Sequence, residues 1–247
     1  MSRPTSIKGR IYPESIFGGL THFDGDLRYY SRAQTLVRPE SVVLDYGCGR
    51  GIHVSETDAF YRSLCSFKGR VSRVIGVDPT DAGLRNPSLD EFHQMKGSTI
   101  PLRDQTVDLC HADWVIEHVQ DIHVVLKEIH RVLKPGGYFC FRTPNRFHYS
   151  SLGASLVPFK AHYKLRKILG HFHEEEDVFS TTYLCNTKWR ARKLLGSYGF
   201  ESLVYHHRGP SHLMGLGYWP GLFGRLIEGL SPPFLWHEIH AFARKIA

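Results

Sequence analysis

Residues 42–51, Val-Val-Leu-Asp-Tyr-Gly-Cys-Gly-Arg-Gly, combine an apolar run with an acid, Asp45, and three glycines at alternate positions. The apolar run is typical of a buried parallel strand. Glycines directly after a strand let the backbone turn tightly and approach a ligand without interference from a Cβ atom. Because ligands bind at the carboxyl ends of strands in an open α/β sheet, this stretch predicts a site for a nucleotide-like ligand.

The glycine spacing excludes two common nucleotide-binding loops. In the dinucleotide fingerprint the third glycine comes three residues after the second, whereas here Gly47, Gly49 and Gly51 alternate. The loop also lacks the Gly-Lys-Ser/Thr sequence of a phosphate-binding loop. A different nucleotide-like ligand is therefore expected.

A second acid, Asp78, follows the next apolar run, Val71–Val77, and precedes Pro79. A carboxylate at the end of a second strand can accept hydrogen bonds from both hydroxyls of a ribose. The alternative is an Asp that caps a helix or closes a turn. In combination with Asp45 and the glycines, the ribose role is favoured.

A third stretch, residues 97–121, contains a Pro-Leu loop, an Asp-Leu strand and a Glu-His helix start, and Leu-Lys-Pro-Gly-Gly follows at 133–137. This order of motifs after Asp-x-Gly-x-Gly-x-Gly resembles the class I S-adenosylmethionine-dependent methyltransferases, in particular the ubiquinone-biosynthesis type and other small-molecule O-methyltransferases. The resemblance covers about residues 26–145 and again Gly199 to the final strand. It implies a Rossmann-like fold, S-adenosyl-L-methionine as cofactor and methyl transfer as the activity.

The resemblance also implies a cofactor site spread over several loops. Asp45 is expected to orient the glycine loop or reach the methionine amino group, and Asp78 to bind the ribose. Ser98 stands where many relatives have an Asp that binds the adenine amino group, so adenine contacts are expected to use the backbone. The full set implied for the cofactor is Arg28, Asp45, Gly47, Cys48, Gly49, Asp78, Pro79, Ser98, Thr99, Ile100, Asp113 and Trp114.

His118 is the candidate catalytic base. Methyl transfer from a sulfonium is an in-line displacement, so the enzyme must align the nucleophile and take a proton from a hydroxyl acceptor. A histidine titrates near neutral pH, and the motif that contains His118 opens toward the site. The alternative is a histidine that caps or packs at a helix start. The rivals, all from the predicted cap, are His148, Tyr149, His171 and His173.

No metal site is predicted. His171 and His173 precede a run of four acids, but they lack the i, i+4 spacing of a zinc peptidase helix, so a solvated acidic turn is the interpretation. The five cysteines are odd in number and have no C-x-x-C spacing. This cysteine usage argues against structural zinc or a disulfide scaffold, and for a reducing compartment.

Alternating strand and helix patterns predict a doubly wound, seven-stranded, mostly parallel sheet with cap insertions. Beyond the first strand, strands are expected at Val71–Val77, 91–97, Val107–Ala112, Tyr138–Thr143, Phe200–His207 and Trp236–Phe242, and helices at 26–38, 52–66, Val124–Leu133 and 187–198. The prediction is a single domain of 1–247 that includes an N-terminal helical segment at 1–40, a cap at about 145–186 and an apolar insertion at about 209–235.

Charge and hydropathy bear on partners and location. The formal charge of +7 could attract nucleic acid, an anionic membrane or a phosphorylated substrate, but a solvated basic surface is favoured. Apolar stretches at 147–159 and 213–236 are expected to close over a substrate, rest on a membrane surface or pack on the sheet. The first residues show no signal-peptide core and 209–224 is too short and broken to span a bilayer, so a cytoplasmic protein is expected.

The function predicted from these observations is transfer of a methyl group to a small-molecule acceptor, including glycans, lipid-linked compounds or aromatic rings, most readily at a hydroxyl oxygen. Nucleic-acid methylation is the first alternative, although the chain lacks an Asn/Asp-Pro-Pro-aromatic motif and a Pro-Cys nucleophile. The second alternative is a catalytically silent subunit that binds the cofactor.

Overall fold

One seven-stranded sheet organises the chain in this computed structural model, which describes residues 6–51, 59–156 and 181–246. The strands are β1 (Val42–Tyr46), β2 (Arg73–Asp78), β3 (Glu91–Gln94), β4 (Val107–Asp113), β5 (Leu133–Pro144), β6 (Phe200–His207) and β7 (Glu238–Lys245). The described helices are α1 (Ile7–Ile11), α2 (Gly25–Gln34), α3 (Ala59–Leu64), α4 (Ile122–Val132), α5 (Tyr149–Leu156), α6 (Lys188–Ser197) and α7 (Tyr218–Leu230).

The strand order places a topological switch beside the glycine loop. The order across the sheet is β3-β2-β1-β4-β5-β7-β6, and the pairings β3–β2, β2–β1, β1–β4 and β4–β5 are parallel. The chain moves outward from β1 to β3 and then returns to the other side of β1 as β4. Ligands of doubly wound sheets bind at such a reversal, outside the carboxyl ends of the strands. The predicted fold class is confirmed.

Alternate residues of the central strands pack on the two faces of the sheet, as strand geometry requires. Leu44 of β1 and Ile75 of β2 belong to one core cluster, which also includes buried residues of α4 and α6. Val43 and Val74, their neighbours in sequence, belong to a second cluster with residues of α2 and α3. Both faces of the sheet are therefore covered, which explains why apolar residues predominate on both faces of the central strands.

Several element boundaries differ from the predicted ones. The Lys-Pro-Gly-Gly segment was expected to separate α4 from a strand that begins at Tyr138, but β5 begins at Leu133. The register with β4 changes from Val107↔Leu133 to Leu109↔Tyr138, so this segment forms an irregularity within the strand pair. Gly136 supplies the left-handed conformation there, with φ of 75°.

The last strand also starts later than predicted, at Glu238 instead of Trp236. The reason is a polar anchor: the buried side-chain amide of Asn145 donates to the carbonyls of Phe234 and Trp236, both at 2.8 Å. Those carbonyls are thereby held outside the sheet ladder. The helix α7 lies inside the predicted apolar insertion, where no helix was expected.

The chain divides into two compact units. The sheet unit comprises Asp26–Thr143, Thr182–Tyr205 and Ile239–Ala247, and the insertion unit comprises Met1–Gly25, Pro144–Thr181 and His206–Glu238. The insertion unit gathers most of the N-terminal segment and of the two predicted insertions. The single-domain organisation stays a prediction. Within the described ranges, every helix is too short or too polar to cross a bilayer.

Gly76 in β2 provides a test of how tightly the sheet packs beneath the glycine loop. A Cβ atom there would lie 2.3 Å from Leu89 Cδ1 and 2.8 Å from Cys48 Sγ. Gly76→Ala should therefore lower the free energy of unfolding by about 1–3 kcal/mol through overpacking, measured by denaturant titration. The control is Gly196→Ala in α6, where a Cβ meets no described atom within 4 Å and helix propensity predicts a gain of up to about 1 kcal/mol. Equal effects of the two substitutions would contradict this packing.

Candidate functional site

The glycine loop after β1 turns back toward β2 through its own backbone. The N–H groups of Gly47 and Cys48 both donate to the Val77 carbonyl, at 2.8 and 3.2 Å. Gly47, Gly49 and Gly51 have φ of 74°, 45° and 83°, which is the left-handed region that favours glycine. A Cβ at Gly47 would lie 2.6 Å from both Val115 methyl carbons, whereas one at Gly49 would meet no atom of the described residues within 4 Å. The loop is thus closely packed at Gly47, whereas no atom of the described residues fills the space beside Gly49.

Asp78 is buried and joined directly to this loop. Its Oδ2 accepts from the Gly49 N–H at 3.1 Å, and its Oδ1 accepts from the Thr80 N–H at 2.8 Å and the Thr80 hydroxyl at 2.7 Å. A carboxylate has about four acceptor positions, so these three bonds leave one on Oδ2. Asp78 therefore also closes a turn, the alternative that the sequence left open, and still has capacity for a ligand hydroxyl.

Asn86 supports the loop from a position that the sequence patterns did not single out. Its buried side-chain amide donates to the carbonyls of Cys48, at 3.0 Å, and Gly49, at 3.4 Å. These bonds fix the Cys48 and Gly49 carbonyls so that both point toward Asn86. Burial raises the pKa of the Cys48 thiol, so Cys48 serves as a small packed residue instead of a thiolate nucleophile. The available signal for Asn86 was its place before Pro87, which is typical of a turn.

The predicted adenine-side loop is anchored at both ends. At its start, the Met95 N–H donates to the Asp78 carbonyl at 2.8 Å. At its end, the Ile100 N–H donates to Glu128 Oε2 at 2.9 Å, and the guanidinium of Arg131 donates to the Ile100 carbonyl at 2.8 Å. Ile100 is buried, Thr99 is exposed and Ser98 is half-buried between these anchors.

Glu128 and Arg131 form the ion pair that holds this loop against α4. Two hydrogen bonds of 2.8 Å join the guanidinium to the carboxylate. The hydrogen bond from Arg131 is the main cause that holds the pKa of Glu128 below its ordinary value of 4.5; burial opposes it, and the Ile100 N–H adds to it. Neither residue was predicted, although their i, i+3 spacing on a helix is a signal for an ion pair.

A buried guanidinium, Arg142, lies at the carboxyl ends of β4 and β5. It forms ion pairs with Asp113 and with Asp26 of α2, and the Tyr30 hydroxyl donates to Asp113 Oδ2 at 2.8 Å. Burial first, and the Asp113 charge second, raise the pKa of Tyr30, so this phenol stays protonated as a donor. The Asp113 carboxylate, predicted to bind the cofactor, is thus already bound to Arg142 and Tyr30.

Trp114 marks the same place by its backbone conformation. Its φ is 56°, which is uncommon for a bulky residue. The conformation is held by the Trp114 N–H, which donates to the Arg142 carbonyl at 3.2 Å, and by the Arg142 guanidinium, which lies 5.4 Å from the ring centroid. Strained residues of this kind cluster at functional sites and cost about 1–3 kcal/mol each.

His118 lies beside a buried carboxylate. The distance from His118 Nε2 to Glu117 Oε1 is 4.0 Å, and about a quarter of the His118 side chain is exposed. The other oxygen of Glu117 accepts from the Thr143 hydroxyl at 2.9 Å, and the Asn186 amide donates to that hydroxyl at 2.7 Å. The Glu117 carboxylate is therefore held by Thr143 of β5 and, through it, by Asn186 of the segment before α6, neither of which was predicted.

Three further residues that were predicted to bind the cofactor are Asp45, Pro79 and Arg28. Asp45 Oδ1 lies 3.5 Å from His111 Nε2 in the neighbouring strand. The Pro79 carbonyl accepts from the Gln94 amide at 2.9 Å. Arg28 is exposed on α2, and its charge opposes the burial that raises the pKa of Tyr205, on strand β6 at the sheet edge. No contact brings Arg28 to the glycine loop in the described residues, so its role stays a prediction.

Two of the rival bases, His148 and Tyr149, belong to the insertion unit, where both side chains contact Glu228. Burial lowers the pKa of His148 more than the Glu228 contact raises it. His171 and His173 lie outside the described residues.

Comparison with known proteins identifies the part of the chain that carries this geometry. Residues 44–141 match a family model described as a methyltransferase domain. They run from β1 to β5 and contain the glycine loop, Asp78, the loop at 98–100 and His118. This part of the chain is therefore similar to methyltransferase domains, and it is 36% identical over 113 residues to a protein of Mycolicibacterium smegmatis that is named a probable S-adenosylmethionine-dependent methyltransferase, a match that covers 44% of this chain and 40% of that protein.

Named relatives agree with the family model. The methyltransferase domain region is 33% identical over 140 residues to a ubiquinone biosynthesis O-methyltransferase of Bradyrhizobium diazoefficiens, a match that covers 53% of this chain and 50% of that protein. It is 35% identical over 106 residues to a malonyl-[acyl-carrier protein] O-methyltransferase of Yersinia pestis, which covers 41% of this chain and 36% of that protein. The chain thus matches about half or less of the length of these curated relatives.

Solved structures agree on the fold. A SAM dependent methyltransferase from Aquifex aeolicus has a TM-score of 0.52 and 15% sequence identity, with 100% of both chains covered. At that identity the likeness shows the architecture alone. The family cofactor is S-adenosylmethionine, and the open backbone at Gly49 beside a carboxylate with spare acceptor capacity fits a ribose-containing ligand.

The Glu128–Arg131 anchor predicts a pH-dependent contribution to stability. Because the pKa of Glu128 is lowered in the folded state, the stabilisation is present above the unfolded value of 4.5 and is lost as the pH falls through the folded value. Glu128→Gln should cost about 1–2 kcal/mol of unfolding free energy at pH 7, and the difference from the wild type should shrink as the pH falls below 4.5, measured by denaturant titration. Glu201→Gln, at an exposed position of β6, is the control. A pH-independent difference would contradict the assignment.

Proposed function

We propose that this protein transfers a methyl group from S-adenosylmethionine to a hydroxyl oxygen of a small-molecule acceptor. The observation that carries the proposal is the contact between the open glycine loop and the buried acid of the next strand, Gly49 N–H to Asp78 Oδ2 at 3.1 Å. The family match and the names of the relatives support the reaction class.

The residues expected to hold the cofactor come from three loops. The Gly49 region lets the ligand approach the backbone because no described side chain occupies that space. Asp78 Oδ2 can accept one ribose hydroxyl at once, and rotation of the Thr80 hydroxyl away from Oδ1 would make room for the second. The loop at 98–100 supplies backbone groups for the adenine, held in place by Glu128 and Arg131. The bound cofactor would supply an electrophilic methyl group on a sulfonium.

His118 is proposed as the base that takes the acceptor proton. Glu117 lies 4.0 Å from its ring and is itself buried and hydrogen-bonded. The negative charge of a carboxylate in that position would stabilise the imidazolium that forms when the hydroxyl proton is taken. The roles parallel those of a base and its orienting acid in other proton-transfer sites.

Oxygen is the proposed acceptor atom because both curated relatives described above are named as O-methyltransferases.

We further propose that the protein acts in the cytoplasm. All five cysteines are buried and none forms a disulfide, which fits a reducing compartment.

Peripheral membrane contact is proposed from the apolar ridge of α7, defined here as Trp219, Phe223, Leu226 and Leu230. Each of these side chains is more than half exposed, and their spacing of four, three and four residues places them on one helix face. The buried residues of α7, which include Gly221 and Gly224, face the other way. The guanidinium of Arg10 lies 3.9 Å from the ring centroid of Tyr218, which adds positive charge near the ridge. An apolar ridge with basic neighbours suits the interface of a membrane that contains a lipid-linked acceptor.

The catalytic assignment is tested by separating binding from turnover. With methyl-labelled S-adenosylmethionine and an extract of the source cells, label should enter the small-molecule or lipid fraction. Asp78→Asn should weaken S-adenosylhomocysteine binding about tenfold or more by calorimetry, because a charge-assisted hydrogen bond is lost. His118→Asn should keep that affinity and lower kcat about 10²–10⁴-fold.

The control for His118 is His123→Asn, an exposed histidine of α4. A near-normal rate for His118→Asn would remove it as the base. Label in the nucleic-acid fraction would favour the alternative substrate class, and cofactor binding without labelled product would favour a catalytically silent subunit.

The membrane contact is tested with vesicles of phosphatidylcholine and phosphatidylglycerol. Trp219→Ser should lower the fraction of protein that sediments with the vesicles about tenfold, since burying one large apolar side chain is worth about 1.5–3 kcal/mol. Trp189→Ser is a matched control, because Trp189 of α6 is 70% exposed, close to the 74% of Trp219. An equal loss in both variants, or no sedimentation of the wild type, would contradict the proposal.

A further inference from the structure

Three histidines from distant parts of the sequence meet in the insertion unit. His148 precedes α5, His212 begins the 3-10 helix His212–Leu216, and His237 precedes β7. Each offers a ring nitrogen, and the three nitrogens lie within 4.8 Å of one another. The rings of His212 and His237 have centroids only 3.8 Å apart, and His148 lies 5.0 Å from His237 by the same measure.

We propose that His148, His212 and His237 bind a divalent transition-metal ion, with zinc as the ion of choice. Three imidazoles are a known zinc ligand set, and imidazole nitrogen favours Zn²⁺, Cu²⁺ or Ni²⁺ over Mg²⁺ or Ca²⁺. Bonds of about 2.0–2.1 Å to a tetrahedral ion require nitrogens about 3.3 Å apart. The nitrogens, which lie within 4.8 Å of one another, therefore need to approach by at most about 1.5 Å, which rotation of the rings about χ1 and χ2 can supply.

Oxygen atoms of the kind that orient metal-binding histidines surround the rings. His148 Nδ1 accepts from the Ser150 N–H at 3.3 Å and lies 2.7 Å from the Ser150 hydroxyl, so Nε2 carries the proton and donates to Glu228 Oε1 at 3.3 Å. Metal binding at Nε2 would move this proton to Nδ1, where the Ser150 hydroxyl can accept it and orient the ring. Glu238 Oε1 lies 3.4 Å from His237 Nδ1, so a second carboxylate lies beside the cluster.

Two carboxylates favour a cation at the same place. Glu228 and Glu238 are both almost fully buried beside the histidines. Their negative charge would attract a cation bound between the three imidazoles.

The backbone of the three segments is already held in position. The Asn145 N–H donates to the His237 carbonyl at 2.7 Å, and the His148 N–H donates to the Asn145 carbonyl at 3.1 Å. Beside His212, the Ser211 N–H donates to the Tyr12 hydroxyl at 2.9 Å. His148 and His237 are buried, while His212 is half-buried. The site is thus held by its backbone, and His212 is its most exposed ligand.

The experiment measures Zn²⁺ binding to the full chain after treatment with a chelator and dialysis. Calorimetry should show one saturable zinc site, and zinc should raise the melting temperature by about 5 °C or more, as tight binding to the folded state alone requires. Mg²⁺ should have no effect. His212→Gln should weaken zinc binding at least about tenfold, since one ligand is lost.

His207→Gln is the matched control, because His207 is also half-buried and in the insertion unit but bonds the Phe23 carbonyl. The visible absorption spectrum of the wild type with Co²⁺ is a second test. Co²⁺ bound at the three histidines should show the intense absorption that is typical of tetrahedral nitrogen ligation. Zinc affinity that is equal in His212→Gln and His207→Gln would show surface binding among the 16 histidines and overturn the proposal. An octahedral Co²⁺ spectrum, or no saturable site, would overturn it as well.

Discussion

The hydrogen bond from the Gly49 N–H to the Asp78 carboxylate connects the ends of two parallel strands, and the candidate site is built around it. It forms because the glycines after β1 adopt left-handed conformations and the Val77 carbonyl accepts two N–H groups of the loop. The Asp78 carbonyl then accepts from Met95, which places the loop at 98–100 beside the same acid. One residue therefore positions both the glycine loop and the loop at 98–100, and a change at this point would move both loops.

Buried charge gives the site its second constraint. Arg142 between Asp113 and Asp26 ties the ends of β4 and β5 to α2, and the strained backbone of Trp114 is held by the same residue. Glu117 is held by Thr143 and, through it, by Asn186. Buried ion pairs are costly to break because the remaining partner is left uncompensated, at about 3–5 kcal/mol. These networks therefore make the carboxyl edge of the sheet rigid, as an aligned displacement reaction requires.

The insertion unit combines two features that methyl transfer does not require. Two of the three clustered histidines are buried and two carboxylates lie beside them, while the apolar ridge of α7 is exposed. Glu228 lies on α7, so the helix that displays the ridge also contributes a carboxylate to the cluster. A metal ion there would fix the helix that we propose to contact a membrane, which links the two proposals through one element.

The sequence by itself determined the sheet and the position of the glycine loop. The strand pattern predicted both ends of β6 correctly, at Phe200 and His207. The glycine spacing together with Asp78 predicted the loop and its acid. Both predictions were possible because strands and turns depend on residues that are neighbours in sequence. The start of β5 was mistaken because a Pro-Gly-Gly segment can form a loop or a strand irregularity, and only pairing with β4 selects between them.

Arg142 with Asp26, Glu117 with Asn186, and the three histidines are joined across long stretches of chain, and no local pattern encodes those distances. The prediction of no metal site rested on the spacing of His171 and His173 and on that of the cysteines, and local spacing carries no information about histidines that are distant in sequence. Tertiary structure decided which polar residues meet. Packing brings side chains that are distant in sequence together, and buried polar groups need partners there.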